Sequence, residues 1–194
     1  MHKKSTIIIP SYQNSSYLKL CIQSILKHSY FDHEIIVHLN SPDIESESFL
    51  NKEKIFFTKS DKNIGLCSAV NHASTKSNTK FILYAHDDMY FLPKWDVFLF
   101  DEINLISHNK FYLSLTQISH NKGVKGNLQH IHFDCGSDLQ NFNENKLLDN
   151  FERFEFRDLQ GSHWAPHIIH KDTWNAIGGF SEEFNPGFGS DPDL

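Results

Sequence analysis

A chain of 194 residues with 39% hydrophobic and 13% aromatic content is long enough to bury one substantial core, so length and composition predict a single globular domain over residues 1–194. A net charge of −6 and only two arginines, Arg153 and Arg157, argue against a surface built for nucleic-acid backbones, which requires clustered Lys and Arg. An anionic ligand would need a metal ion or backbone amides instead.

Taken in chain order, the residues from Ser5 to Ile9 read as a short apolar strand closed by Pro10. That run is far too short for a signal peptide or a membrane span, which makes the cytoplasm the expected compartment, with at most a peripheral place at the inner membrane face. Ser11-Tyr12-Gln13-Asn14 forms a polar turn into a helix beginning near Ser15, where Leu18, Cys21, Ile22, Ile25 and Leu26 make one apolar stripe. Glu34 to Leu39 is the second strand and completes a βαβ unit, with Asn40-Ser41-Pro42-Asp43 at its carboxyl end. Ile55-Phe56-Phe57 follows as a third strand. Gly65, in Asp61-Lys62-Asn63-Ile64-Gly65-Leu66, permits a tight turn before a short helix carrying Ala69, Val70 and Ala73.

Phe81 to Tyr84 is a buried strand that runs directly into Asp87 and Asp88, with Pro93 placed to start the next helix. Trp95, Phe98, Leu99, Ile103 and Ile106 mark that helix as amphipathic, and Phe111 to Ile118 reads as another strand. Residues 119 to 150 carry only a weak strand pattern at His130 to Cys135. His167 to His170 is a last strand, Lys171 to Ile177 a helix ended by Gly178-Gly179-Phe180, and Ser190-Asp191-Pro192-Asp193-Leu194 a second acidic cluster. Strands alternating with helices predict an α/β fold with a mostly parallel sheet flanked by helices, and such sheets bind ligands at the carboxyl edge. Cys21, Cys67 and Cys135 fit neither a disulfide framework nor a zinc site and read as reduced packing residues. His163, His167 and His170 do not share a helical face, since Pro166 interrupts them, so they make a poor metal site.

Two adjacent carboxylates in an apolar setting repel each other and lose hydration, which a divalent cation relieves. One acidic cluster suited to a metal and another suited to a base are what transfer to a hydroxyl nucleophile requires, although two solvated acidic turns would look the same in sequence.

Several segments together resemble the family 2 glycosyltransferases, nucleotide-sugar enzymes of the GT-A fold. Thr6-Ile7-Ile8-Ile9-Pro10-Ser11-Tyr12-Gln13 resembles the opening strand and P-x-Y-N turn, with Gln13 in place of Asn. Asn63-Ile64-Gly65-Leu66, with Ala69 and Asn71, is similar to the N-x-G loop and A-x-N. His86-Asp87-Asp88 falls where the D-x-D motif lies, Gly178-Gly179-Phe180-Ser181-Glu182 looks like G-G-F-D-E, and Asp191-Pro192-Asp193-Leu194 like the end of E-D-x-D-L. Each motif is weak alone, and five in order over most of the chain are not.

The resemblance implies a GT-A type, Rossmann-like mixed sheet and a metal-dependent, inverting transfer of a sugar from a nucleotide-diphosphate sugar to a hydroxyl of a glycan or lipid-linked acceptor. It implies Asp88 as ligand of Mn²⁺ or Mg²⁺ and Asp191 as catalytic base. Pro10, Tyr12, Asn40, Asn63, Gly65, Asn71 and Asp87 would bind the donor nucleotide, and His163, Trp164 and Asp193 the acceptor. The chain departs from the pattern where Leu39-Asn40 replaces an acidic pair used for base recognition and where His86 replaces the first acid of D-x-D. It also stops at Leu194, where such enzymes continue, so acceptor-side elements are expected to be missing. These departures keep a non-catalytic nucleotide-sugar or glycan-binding relic as the alternative. Nucleotidyl transfer fits less well, because Pro10-Ser11-Tyr12-Gln13 is not a Gly-rich, basic phosphate loop.

Overall fold

A computed structural model describes residues 2–120, 130–155 and 164–193. The chain divides into two compact units, one made of residues up to Ser114 and from Trp164 onward, the other of Leu115–His163.

The larger unit is built on β1 (Thr6–Ser11), every residue of which is buried. It pairs in parallel with β2 (Glu34–Leu39) on one side and β4 (Phe81–Tyr84) on the other, and β3 (Phe56–Lys59) extends the sheet beyond β2. A strand with parallel neighbours on both sides and helices over both faces has no solvated face, which is why Ile7-Ile8-Ile9 is continuously apolar rather than alternating. The sheet is completed by β8 (His167–His170), antiparallel to β4, and β5 (Tyr112–Ser114), antiparallel to β8, giving the order β3-β2-β1-β4-β8-β5.

Helices α1 (Ser15–His28), α2 (Ile44–Lys52), α3 (Leu66–Ser74), α4 (Trp95–Leu105), α6 (Lys171–Ile177) and the short α7 (Ser190–Asp193) complete this unit. Alternate strand residues Ile8, Ile36, Ile82, Tyr84 and Ile169 form one core with Cys67, Val70 and Ala73 of α3 and Trp174 of α6. Trp174 is anchored there by its Nε1–H, which donates to Ser74 Oγ at 3.0 Å. The intervening residues Ile7, Ile9, Leu83 and Ile168 are equally buried and face the other side of the sheet. On α4, Phe100 meets Phe81 edge-on at 5.5 Å. Asp96, next to it and fully buried, accepts the Tyr30 N–H at 2.8 Å and the Phe31 N–H at 2.7 Å and faces His33 Nε2 at 3.1 Å. Burial pushes the Asp96 carboxyl up, but the His33 hydrogen bond and the two amides outweigh it and hold it below the ordinary range.

The smaller unit holds β6 (Gln117–Ser119) and β7 (His130–His132), which pair in parallel, α5 (Glu144–Leu148) and a 3-10 turn at Phe151–Arg153. Here the strand expected over Phe111 to Ile118 is corrected. It is two strands broken at Leu115-Thr116, and each half pairs with a different sheet. The propensity of the run is uninterrupted, so nothing local marks the change of partner. Pro93 does not open α4 either, because Lys94 adopts a left-handed conformation and the helix starts at Trp95.

One buried group makes stability depend on pH. His38, wholly covered within β2, bonds Thr58 Oγ1 through Nδ1 at 2.7 Å, and desolvation with the nearby His72 lowers its pKa to about 4. The unfolded chain takes up this proton below its ordinary value of about 6.5 while the folded chain does not. The contribution is therefore complete above that pH and is lost as pH falls toward 4, an effect on the order of 2–3 kcal/mol. Urea unfolding at pH 7.5 and pH 5 is expected to show this loss, and His38→Leu to flatten it whatever its own stability.

Candidate active site

The parallel strands β1, β2, β3 and β4 end at one edge of the sheet, and β8, running the other way, begins there, since Tyr84 pairs with His167. Loops from all of these ends supply the site. At its centre Asp87 is held from both sides: Ser11 Oγ donates to Oδ2 at 2.6 Å, and Asn14 Nδ2 donates to Oδ1 at 3.0 Å. Burial pushes the Asp87 carboxyl up, and these two hydrogen bonds oppose it. Asp88 is different in kind. Its side chain is 59% exposed and carries no such anchors among the described residues, with His86 Nδ1 at 4.0 Å from Oδ1. A cavity of about 270 Å³ lies here, lined by Pro10, Ser11, Tyr12, Asn14, Asn40, Asn63, Leu66, His86, Asp87, Asp88 and Pro186.

The opposite wall is the loop before α3, and it is pinned by amides. Asn40 is buried, and its Oδ1 accepts the Ile64 N–H at 2.8 Å while its Nδ2 donates to Asn63 Oδ1 at 3.0 Å and to the Gly65 carbonyl at 3.2 Å. Gly65 has φ +87°, and a Cβ there would lie 2.1 Å from Asn185 Oδ1, so glycine is needed for conformation and for space. Asn185 uses that space to accept the Cys67 N–H at 3.1 Å and to donate to Ser68 Oγ at 2.8 Å, and the Leu66 N–H donates to the Pro186 carbonyl at 2.9 Å. The start of α3 is thus capped by a segment more than a hundred residues away.

That docked segment leads through Gly187 and Gly189 into α7 and delivers Asp191. Its Oδ2 accepts the Ala165 N–H at 3.1 Å, just ahead of β8, whereas Oδ1 is covered and has no hydrogen-bond partner among the described residues. Burial pushes this carboxyl up, against the Ala165 N–H and the field of His86, which pull it down. Beneath it the buried Tyr84 hydroxyl also lacks a partner among the described residues.

The sequence pattern of glycosyl transferase family 2 matches residues 6–168, from β1 into β8. The chain belongs to that family. Its fold is shared with solved glycosyltransferase structures. One is S. aureus TarS 1-349, at 16% identity and a TM-score of 0.64 over 94% of this chain and 51% of that one. The same protein in complex with UDP gives 16% identity and a TM-score of 0.66, over 98% and 53%. The mannosyltransferase PcManGT from Pyrobaculum calidifontis, in complex with GDP-Man and Mn²⁺, gives 13% and 0.62, over 97% and 50%. The chain therefore spans about half the length of these structures.

With the family established, the expected site residues can be placed. Pro10, Tyr12, Asn40, Asn63, Asp87 and Asp88 come together on one cavity, and Gly65 shapes its wall. Asn71 does not line that cavity. Its Oδ1 accepts the Phe180 N–H and its Nδ2 donates to the Phe180 carbonyl, both at 2.9 Å, so it clamps the Gly-Gly-Phe segment to α3. Asn40 lines the cavity, but its hydrogen bonds go to the loop. Trp164 is 46% exposed and adjoins Ala165, Asp193 ends α7, and His163 lies outside the described residues. Sequence reasoning missed Ser11, Asn14, Asn185 and Pro186, although Ser11 and Asn14 stood in the recognised turn.

Among the described residues no group of three or more His, Cys, Asp and Glu is arranged to hold a metal ion. A cation carried chiefly by substrate phosphates needs only one or two protein carboxylates, and the exposed Asp88 carboxylate at the cavity fits that requirement. No helix among the described residues is long and apolar enough to cross a membrane.

Proposed function

We propose that the chain transfers a sugar from a nucleotide-diphosphate sugar to a hydroxyl of a glycan or lipid-linked acceptor, with inversion at the anomeric carbon. The observation that carries this reading is the pairing of two unlike acids at one sheet edge. Asp88 is exposed at the cavity, and Asp191 is buried and oriented by a backbone N–H. Asp88 would hold Mn²⁺ or Mg²⁺, which when bound neutralises charge on the departing diphosphate. Asp87, fixed by Ser11 and Asn14, presents a rigid acceptor to the nucleotide's ribose. Asp191 takes the proton from the acceptor hydroxyl through Oδ1, the oxygen that Ala165 leaves unused. Trp164, Asp193 and His163 would contact the acceptor, as the family resemblance implies. Attack from the face opposite the leaving diphosphate inverts the carbon.

The donors named in the related structures, UDP-GlcNAc and GDP-Man, are the first to try. A ligand that binds only the folded state raises its melting temperature. Such a rise is expected with either nucleotide sugar when Mn²⁺ is present, and Asp88→Ala is expected to abolish it. An undiminished rise in the variant would remove Asp88 from the role. A second reading, a binding relic without turnover, is favoured by the complete cover over Asp191 Oδ1. It predicts nucleotide-sugar binding with no release of nucleoside diphosphate.

A further inference from the structure

Two buried polar atoms where β4 ends and β8 begins lack a hydrogen-bond partner among the described residues: the hydroxyl of Tyr84, which is 1% exposed, and Oδ1 of Asp191, which is 5% exposed. Polar oxygens taken out of water without a partner destabilise a fold, and native chains rarely leave them so. The topology puts these two on the same side of one strand pair. Tyr84 pairs with His167 across β4 and β8, and its ring shares a core with Ala165, Cys67 and Phe180. The Ala165 N–H, two residues ahead of His167, is the group that holds Asp191 through Oδ2. Burial first, and then the charge of Asp191, push the Tyr84 hydroxyl well above its ordinary range, so it stays protonated and able to donate.

We propose that Tyr84 is a positioning residue for Asp191, its hydroxyl donating to Oδ1 and fixing the carboxylate in the orientation that takes the acceptor's proton. This rests on the reading of Asp191 as the base. A hydroxyl turns about its C–O bond and reaches a carboxylate oxygen directly after a small shift of α7 or through one bound water, and both routes couple the two groups in the same way. Oδ1 keeps a second lone pair for the incoming proton. A donor to the ionised carboxylate favours that form, so the hydroxyl also keeps the base ready. Other titratable groups face Asp191. His86, from the loop after β4, pulls the carboxyl down by its field, while burial pushes up both the Cys67 thiol of α3 and the Tyr112 hydroxyl of β5. Tyr112 is committed to His167 Nδ1 at 2.9 Å and Cys67 to Ser190, whereas the Tyr84 hydroxyl has no other claim among the described residues. Asp88 acts on that hydroxyl least of its charged neighbours.

Tyr84→Phe, which removes one oxygen and keeps the ring, tests this. In the pH profile of nucleoside diphosphate release from UDP-GlcNAc or GDP-Man with Mn²⁺, the acid limb is expected to move up by about one pH unit, because the ionised base has lost its donor. Below the limb the rate then falls about tenfold, and well above it the loss is small. A merely structural role would lower the rate at every pH and leave the limb in place. Urea unfolding at neutral pH gives a readout independent of transfer. Tyr84→Phe is expected to lower the folding equilibrium constant about tenfold in the unaltered chain and to change it little in Asp191→Ala, where the hydroxyl has lost its acceptor. Equal effects in the two backgrounds, or an acid limb that stays where it is, overturn the proposal. No release from either donor, or full release in Asp191→Asn, overturns the reading of Asp191 as base and the proposal with it, even where unfolding shows the contact.

Discussion

Asp191→Asn is expected to lower sugar transfer by roughly 10²- to 10⁴-fold while leaving nucleotide-sugar binding nearly unchanged, the range in which a general base contributes. The substitution keeps the shape of the side chain. The Ala165 N–H, which now meets Oδ2 at 3.1 Å, can be satisfied only by an oxygen, so the asparagine carbonyl takes that place and the NH₂ takes the place of Oδ1. The atom meant to accept the proton then carries protons of its own. The cavity proposed for the donor, by contrast, is not lined by Asp191. The rate of nucleoside diphosphate release with donor in excess measures the first quantity and titration calorimetry the second. A full rate in Asp191→Asn would show that another group is the base. The pH profile follows with a definite sign. A base works only when deprotonated, and burial pushes the Asp191 carboxyl up, so the acid limb of the rate should lie above the ordinary carboxylate range.

How much of this was legible beforehand depends on the distance over which each feature is decided. The strands β1, β2, β4 and β8 are written in short runs of apolar residues, because burial on both faces of a sheet demands them, and their order with the helices fixes which ends carry Asp87 and Asp88. What sequence could not show is which partner a polar group chooses. Asn71 and Asn63 look alike as amides beside a glycine loop, yet one is spent on Phe180, 109 positions away, and the other stands on the cavity. Asn185 gives no local sign that it caps α3, since the amide it binds belongs to Cys67. The break between β5 and β6 is of the same kind, a choice between distant strands made in a uniform run.

Gly65→Ala is expected to have the largest structural effect, about 3 kcal/mol or more, because two penalties meet there. A φ of +87° costs any L side chain on the order of 1 kcal/mol, and the new methyl would also lie 2.1 Å from Asn185 Oδ1 and 2.8 Å from Asn185 Cβ. The Oδ1 can swing aside only by giving up the Cys67 N–H, and the Cβ moves only with its backbone, which pulls at the Leu66 to Pro186 hydrogen bond. Gly178 provides the control. It has φ +85° and nothing within 4 Å of an added Cβ, so Gly178→Ala carries the conformational penalty alone. Gly65 also has ψ 160°, a region open essentially to glycine alone, whereas Gly178 has ψ 11°, so urea unfolding should show the larger loss in Gly65→Ala by about 2 kcal/mol from backbone and contact together. Equal losses would mean that the docking of Asn185 adds nothing at Gly65. The same displacement has a functional consequence that a loss of stability alone would not produce. The residues pushed away from Gly65 continue through Gly187 and Gly189 to Asp191, so transfer in Gly65→Ala should fall further than binding of UDP, measured at a temperature where the variant is still folded.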